Sequence, residues 1–213
     1  MADPTAEPSR ECPLCPRLVA FRHEIRAAEP DWHAAPVPSF GDPDAQLLVV
    51  GLAPGMRGAN RTGRPFTGDW AGDLLYATLS DFGFSRGTYA ARADDGLELI
   101  DCMVTNAVRC LPPQNKPVGA EIAACRPFLA ARIAALPQLS HILTLGRIAH
   151  ESVLRALGAR MTALPFGHGA MGRVGSYTVA ASYHCSRYNT NTRRLTPAMF
   201  ASVFAAVRSS IDA

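Results

Sequence analysis

Four of the six cysteines stand in two groups that could bind a soft metal or an iron–sulfur cluster: Cys12-x2-Cys15 and, 94 residues on, Cys110-x14-Cys125. Four thiolates suit zinc and a [4Fe-4S] cluster alike, and ligand softness alone does not choose between them. A lone Cys-x2-Cys pair also admits a redox role. Cys102 lies in an apolar run and reads as packed core, whereas Cys185, beside His184, reads either as a small residue in a crowded loop or as part of a site. A second set of candidates is carried by the run Gly51-Leu-Ala-Pro-Gly55 and its continuation Gly58-Ala-Asn-Arg-Thr-Gly-Arg-Pro-Phe-Thr-Gly-Asp69. Its glycine spacing matches neither the dinucleotide fingerprint nor the phosphate loop, so no nucleotide cofactor is expected. Phe66 stands alone there among polar residues, either anchored in the core or offered as a flat surface for a ring. Of the six histidines, His184 is the one singled out as a donor of a proton or a hydrogen bond near neutral pH, because it directly follows the last apolar strand-like run.

These residues are positioned by a pattern of alternating strands and helices. Gln46 to Val50 is a short apolar run ending in Gly51, as a buried strand would be; Trp70, Leu74, Leu75, Leu79 and Phe82 then recur at helical spacing behind Asp69 as N-cap. Further strands are predicted over Leu99 to Thr105, Ile142 to Leu145 and Tyr177 to Ser182. Helices are predicted around Val19 to Ala28, Ile122 to Leu136, Ile148 to Leu157 and Phe200 to Val207. Alternation of this kind predicts an α/β fold with a parallel sheet covered on both faces, and ligands then gather at the carboxyl ends of the strands. The loops after Val50, Thr105, Leu145 and Ser182 hold Gly51 to Gly55, Asn106 to Cys110, Gly146 to Ala149 and His184 to Asn189. Residues 1–11, polar and proline-containing, read as a disordered tail, and residues 12–213 as a single domain.

The chain has 213 residues, 48% apolar and 18% charged, which is enough for one full core; no apolar run reaches membrane-spanning length, so no membrane association is expected. The N-terminus puts acids and prolines where a secretory signal needs positive charge and an apolar stretch, so a cytoplasmic location is expected, on the nucleoid when DNA is bound. The formal charge is only +3, but no acid occurs between Glu151 and Asp212, a stretch that carries seven arginines. That asymmetry points to an anionic partner, nucleic acid first. Lys116 is the only lysine.

Taken together, Gly51-Leu-Ala-Pro-Gly55, Asn60-Arg-Thr-Gly-Arg-Pro-Phe-Thr-Gly-Asp69, Ala107-Val-Arg-Cys110 and the His184 to Thr196 segment resemble the family 5 uracil-DNA glycosylases, from Cys12 to about Val203. The resemblance implies a three-layer α/β/α fold with a central four-stranded parallel sheet and a [4Fe-4S] cluster on Cys12, Cys15, Cys110 and Cys125. It implies a monomeric, monofunctional enzyme that hydrolyses the N-glycosidic bond of uracil in double-stranded DNA and starts base-excision repair. Hypoxanthine, xanthine and 5-hydroxymethyluracil are further expected substrates, since no tyrosine stands between Gly51 and Gly58 to exclude a substituted ring.

The same resemblance assigns roles. Gly51, Ala53, Pro54, Gly55 and Phe66 would line the base pocket, Phe66 by stacking, and Asn106 would read the uracil edge, accepting from N3–H and donating to O4. His184 would stabilise the departing uracil anion. Asn60 is the candidate for holding the attacking water, with Asp69 behind it. Arg57, Arg61 and Arg64 would meet phosphates, and Arg187, Tyr188, Asn189 and Arg194 belong to the segment that enters the DNA. Two positions depart from the family pattern: Arg193, where glycine is usual, and Cys185. A family 4 enzyme would carry an acid where Leu52-Ala53 stand. The alternatives from other classes are a non-catalytic sensor of damaged DNA on the same fold and a small iron–sulfur electron carrier; the latter leaves the acid-free arginine segment unexplained.

Overall fold

A computed structural model describes residues 7–213. In chain order it contains α1 (Pro16–Ala28), β1 (Phe40–Gly41), β2 (Leu47–Gly51), α2 (Ala59–Thr62), α3 (Trp70–Asp81), β3 (Ser85–Arg86) and β4 (Glu98–Leu99). There follow β5 (Cys102–Asn106), α4 (Gly119–Ala134), β6 (His141–Leu145), α5 (Arg147–Ala156), β7 (Met171–Val174), β8 (Tyr177–Ser182), α6 (Arg187–Asn191) and α7 (Pro197–Ile211).

The main sheet runs β1-β5-β2-β6-β8-β7. Its four central strands, β5, β2, β6 and β8, are parallel, as the alternating pattern predicts. The two edge strands are antiparallel additions. They escape the sequence because β1 has two residues and β7 is largely exposed, so neither shows a buried period. Gly175, at φ 59°, heads the two-residue turn that joins β7 to β8.

All five residues of β2, β5 and β6 are buried. Side chains alternate across the sheet: Leu47 and Val49 pack with Leu75 and Leu79 of α3 and Phe200 and Phe204 of α7. Leu48 and Val50 pack on the other face with Leu129 and Ile133 of α4 and Val153 and Leu154 of α5. The result is a three-layer α/β/α arrangement, with both sheet faces covered as parallel strands require.

The tail expected over residues 1–11 is corrected where it is described, residues 1–6 lying outside the described residues. Glu7 forms ion pairs with Arg109 at 2.8 Å and Arg132 at 2.7 Å and accepts a hydrogen bond from the Ser39 amide at 3.1 Å. Glu11 pairs with Arg26 at 2.8 Å. Composition reads this segment as loose because the partners of Glu7 lie about a hundred residues away in sequence. Among the described residues, no helix is long and apolar enough to cross a membrane.

Candidate functional site

The register of the sheet builds the site's floor. Gly51, the last residue of β2, lies opposite Asn106, the last of β5. A Cβ at Gly51 would fall 2.4 Å from Phe66 Cζ and 2.5 Å from Asn106 Oδ1, so only glycine lets the ring and the amide close on this point. Phe66 sits at φ 54°, a left-handed conformation that strains a residue with a side chain. Its surroundings hold it there. Tyr76 donates to the Pro65 carbonyl at 2.6 Å and Tyr89 to the Phe66 carbonyl at 3.3 Å, while Gly72 leaves room for that carbonyl, which a Cβ would meet at 1.7 Å.

Arg64, expected to contact phosphate, is instead one of these supports and not a DNA contact. It is 4% exposed, with a two-pronged ion pair to Asp95 (2.8 and 2.7 Å), a bond to Thr67 Oγ1 at 2.7 Å, and its guanidinium lies 4.9 Å from the centre of the Phe40 ring. The Arg64 guanidinium holds the Asp95 carboxyl far below the usual carboxylate range. The sequence places Arg64 among polar loop residues, and nothing local reveals the acid 31 positions away that draws it inside.

Phe66 and His184 stack at 6.0 Å with their planes 26° apart. His184 follows β8, and its carbonyl accepts from Asn189 Nδ2 at 2.8 Å, which gives the Asn189 amide a task within the protein rather than at DNA. Burial depresses the His184 pKa to about 4, so the ring is neutral at neutral pH. Asn106 is 3% exposed, and among the described residues its Oδ1 has no partner. A buried amide oxygen left unpaired costs about 1–3 kcal/mol, a cost that a hydrogen-bonding ligand removes.

These groups open on one cavity of about 560 Å³, lined by Leu52, Ala53, Pro54 and Gly55 on one side, by Phe66, Asp69, Trp70 and Ala71 on another, and by Ala59, Asn106, Asn115, His184, Ser186 and Arg187. Asp69 is both the N-cap of α3, accepting from the Gly72 amide at 3.0 Å through Oδ1, and part of the wall. Its Oδ2 faces the glycine-rich turn: a Cβ at Gly58 would lie 2.4 Å from it, and one at Gly55 3.0 Å. The glycines of this loop make room for a carboxylate. Burial raises the Asp69 pKa despite the cap bond. Of the two residues expected to hold the attacking water, Asp69 lines the cavity, whereas Asn60, 2% exposed and with its Nδ2 unpartnered among the described residues, follows the lining residue Ala59 and is not itself a lining residue.

Arg57, Arg61, Arg187, Tyr188 and Arg194 are exposed, and Arg187 reaches the cavity mouth. Arg193 adopts φ 56°, the conformation that favours the glycine usual at this position. Cys185 is fully buried, its thiol donating to the Ala71 carbonyl at 3.5 Å, which makes it core. Sequence periodicity missed Trp70, which reads as a core position of α3 and is 49% exposed. Asn115 was equally hidden; its φ of 56° has no signature in the Pro112 to Lys116 run.

Cys12, Cys15, Cys110 and Cys125 converge on a second, apolar pocket with Leu18, Val108 and Phe128. Cys15 precedes α1, Cys110 follows β5, and Cys125 lies within α4, where its sulfur accepts from the Arg109 amide at 3.3 Å. All four are free thiols. Burial pushes Cys110 up to about 12 and Cys125 to about 11 and raises Cys15, so a positively charged guest is what would turn this set to thiolate. Among the described residues no three His, Cys, Asp or Glu side chains form a site for a single metal ion. The four sulfurs share one apolar pocket, a donor set that suits a zinc ion and a [4Fe-4S] cluster alike.

The sheet order, the cavity at the carboxyl ends of its strands and the paired motifs around it define a recognisable class. The chain belongs to the uracil DNA glycosylase superfamily, whose family model matches residues 38–208. It is 49% identical over 199 residues to a type-5 uracil-DNA glycosylase of Thermus thermophilus, with 90% of each chain covered. A type-5 uracil-DNA glycosylase of Pyrobaculum aerophilum is 39% identical over 206 residues, covering 95% of this chain and 89% of that one. The similarity to a type-4 uracil-DNA glycosylase of Sulfurisphaera tokodaii is lower, 32% over 168 residues, covering 75% and 69%. Within the superfamily the chain thus falls with the type-5 branch.

Gly51→Ala should destabilise the fold by about 1–3 kcal/mol through overpacking against Phe66 and Asn106, measured by denaturant unfolding. Ala at Gly119, where a Cβ meets nothing within 4 Å, is the control and should not.

Proposed function

We propose that the chain is a monofunctional uracil-DNA glycosylase that removes uracil from double-stranded DNA, leaves an abasic site and so initiates base-excision repair. The observation that carries this reading is the unpartnered Asn106 Oδ1 beside the Phe66 ring, with a neutral His184 stacked nearby. An extruded uracil lying on Phe66 could donate N3–H to that oxygen and accept at O4 from the amide nitrogen. Cytosine presents the opposite pattern and would leave the buried amide unpaired.

In the reaction, water oxygen bonds to C1′ as the C1′–N1 bond breaks, and the bonding pair leaves with the base. His184, neutral in the site, donates a hydrogen bond to the uracil anion, in a setting where low dielectric strengthens it. Asp69, rather than Asn60, orients the water and takes its proton in this reading, which is supported by one oxygen being pinned by the α3 cap and the other facing the glycine turn. No lysine lines the cavity, which supports hydrolysis over Schiff-base chemistry. Space beside Ala53 and Gly55, without a bulky ring, supports acceptance of hypoxanthine, xanthine and 5-hydroxymethyluracil. Exposed Arg57, Arg61, Arg187 and Arg194 supply the charge for duplex phosphates, and a monomer suffices because the cavity is built from one chain.

Cys12, Cys15, Cys110 and Cys125 would hold a [4Fe-4S] cluster. Bound there, it would serve as a structural cross-link between the start of α1, the loop after β5 and α4.

Wild type should cut a labelled duplex with a single uracil only after alkali, give no borohydride-trapped adduct, and lose at least tenfold in rate as Asn106→Ala. DNA binding without cleavage of any deaminated base would favour the sensor instead. The acid limb of kcat/KM should come from Asp69, whose pKa burial raises, and not from His184, whose pKa lies near 4; an imidazole titration of His184 near 6.5, followed by NMR, would overturn the neutral histidine. Anaerobically purified protein should hold about four irons and four acid-labile sulfides per chain, both lost as Cys110→Ser.

A further inference from the structure

Trp70 is exposed on the rim of the cavity, yet its side chain is committed. Its Nε1–H donates to Thr190 Oγ1 at 2.9 Å, and the Arg187 guanidinium lies 5.9 Å from the centre of the indole ring. Both partners belong to α6, a five-residue helix with no buried residue. A single helical turn of this length has little stability of its own, and here no apolar face anchors it. Its remaining ties are local: Ser186 Oγ caps it through the Asn189 amide, Asn189 Nδ2 reaches the His184 carbonyl, and the Leu195 amide donates to the Asn189 carbonyl. Among the described residues, the bond from Trp70 is the side-chain hydrogen bond that carries α6 across to another element.

We infer that Trp70 is a positioning residue: it clamps α6 to the start of α3 and thereby holds Arg187 and Tyr188 at the place from which a base leaves the duplex. The stretch from Phe66 to Trp70 then carries three linked parts, the stacking ring, the Asp69 carboxylate and the clamp, so α6 is set in register with the pocket itself. Tyr188, 73% exposed and next to the cavity-lining Arg187 on α6, would then be the filler of the vacated stack. A duplex must be held open while the base is out, whereas a single strand needs no such filler. The clamp therefore serves duplex substrates selectively. This inference rests on the uracil-DNA reading.

The test compares Thr190→Val and Trp70→Phe with wild type on one uracil oligonucleotide, single-stranded and as a duplex. Each variant should raise KM on the duplex about five- to tenfold, the scale of one lost neutral hydrogen bond, with kcat changed less. Thr190→Val should keep single-strand cleavage within about twofold. The double variant should be no worse than either single one, since both remove the same bond. Equal losses on both substrates, additive losses, or no change on the duplex would each overturn the clamp. If wild type cleaves uracil in neither form, the uracil reading fails separately. The clamp is then judged by amide hydrogen exchange over residues 187–192, which Trp70→Phe must accelerate while leaving residues 71–81 unchanged.

Discussion

A missing side chain at residue 51 is the constraint on which the rest of the site depends. The parallel pairing of β2 with β5 sets Gly51 beside Asn106, and the absent Cβ is the space into which both the Phe66 ring and the Asn106 amide fit. Closing that space requires Phe66 to hold a left-handed backbone, which costs on the order of 1–3 kcal/mol for a residue with a side chain. The offset comes from partners outside the loop: Asp95, which pairs with Arg64, and the hydroxyls of Tyr76 and Tyr89 on the two carbonyls around the strained residue. The buried ion pair is therefore part of how a flat ring is held at the end of a strand.

The electrostatics follow from the same closure. A site dry enough to keep His184 neutral is one in which a hydrogen bond to a developing anion is strong, because little water competes for it. It is also one in which a carboxylate must be accommodated by geometry. Asp69 is accommodated twice, by the Gly72 amide on one oxygen and by the glycine turn at Gly55 and Gly58 around the other. The glycine-rich loop that carries no phosphate-binding pattern thus has a different purpose: it clears volume around a ring and a carboxylate.

Several of these features were readable in advance because they depend on local order. The four central strands, the helices between them and the cap at Asp69 all follow from apolar period and cap chemistry, and the cavity lies where a parallel sheet places it. Phe66, Asn106, Asp69 and His184, each singled out by its motif, line that one cavity. The failures share a physical cause. Arg64, Glu7 and Trp70 each take their role from a partner far away in sequence, Asp95, Arg109 and Thr190, and no window of local sequence contains both members of such a pair.

By itself, then, the sequence determined what can be written as a period or a spacing: an alternating α/β order, the identity of the loops that bear chemistry, four thiols in two groups, and an acid-free arginine stretch. The tertiary structure decided which charged groups are surface and which are support, sending Arg64 inside and leaving Arg57 and Arg61 out, and it moved Asp69 to the cavity wall with Asn60 outside it. It decided these because burial and pairing depend on where chain segments meet in space. Strand register and helix packing settle that meeting, and a residue's neighbours in sequence do not.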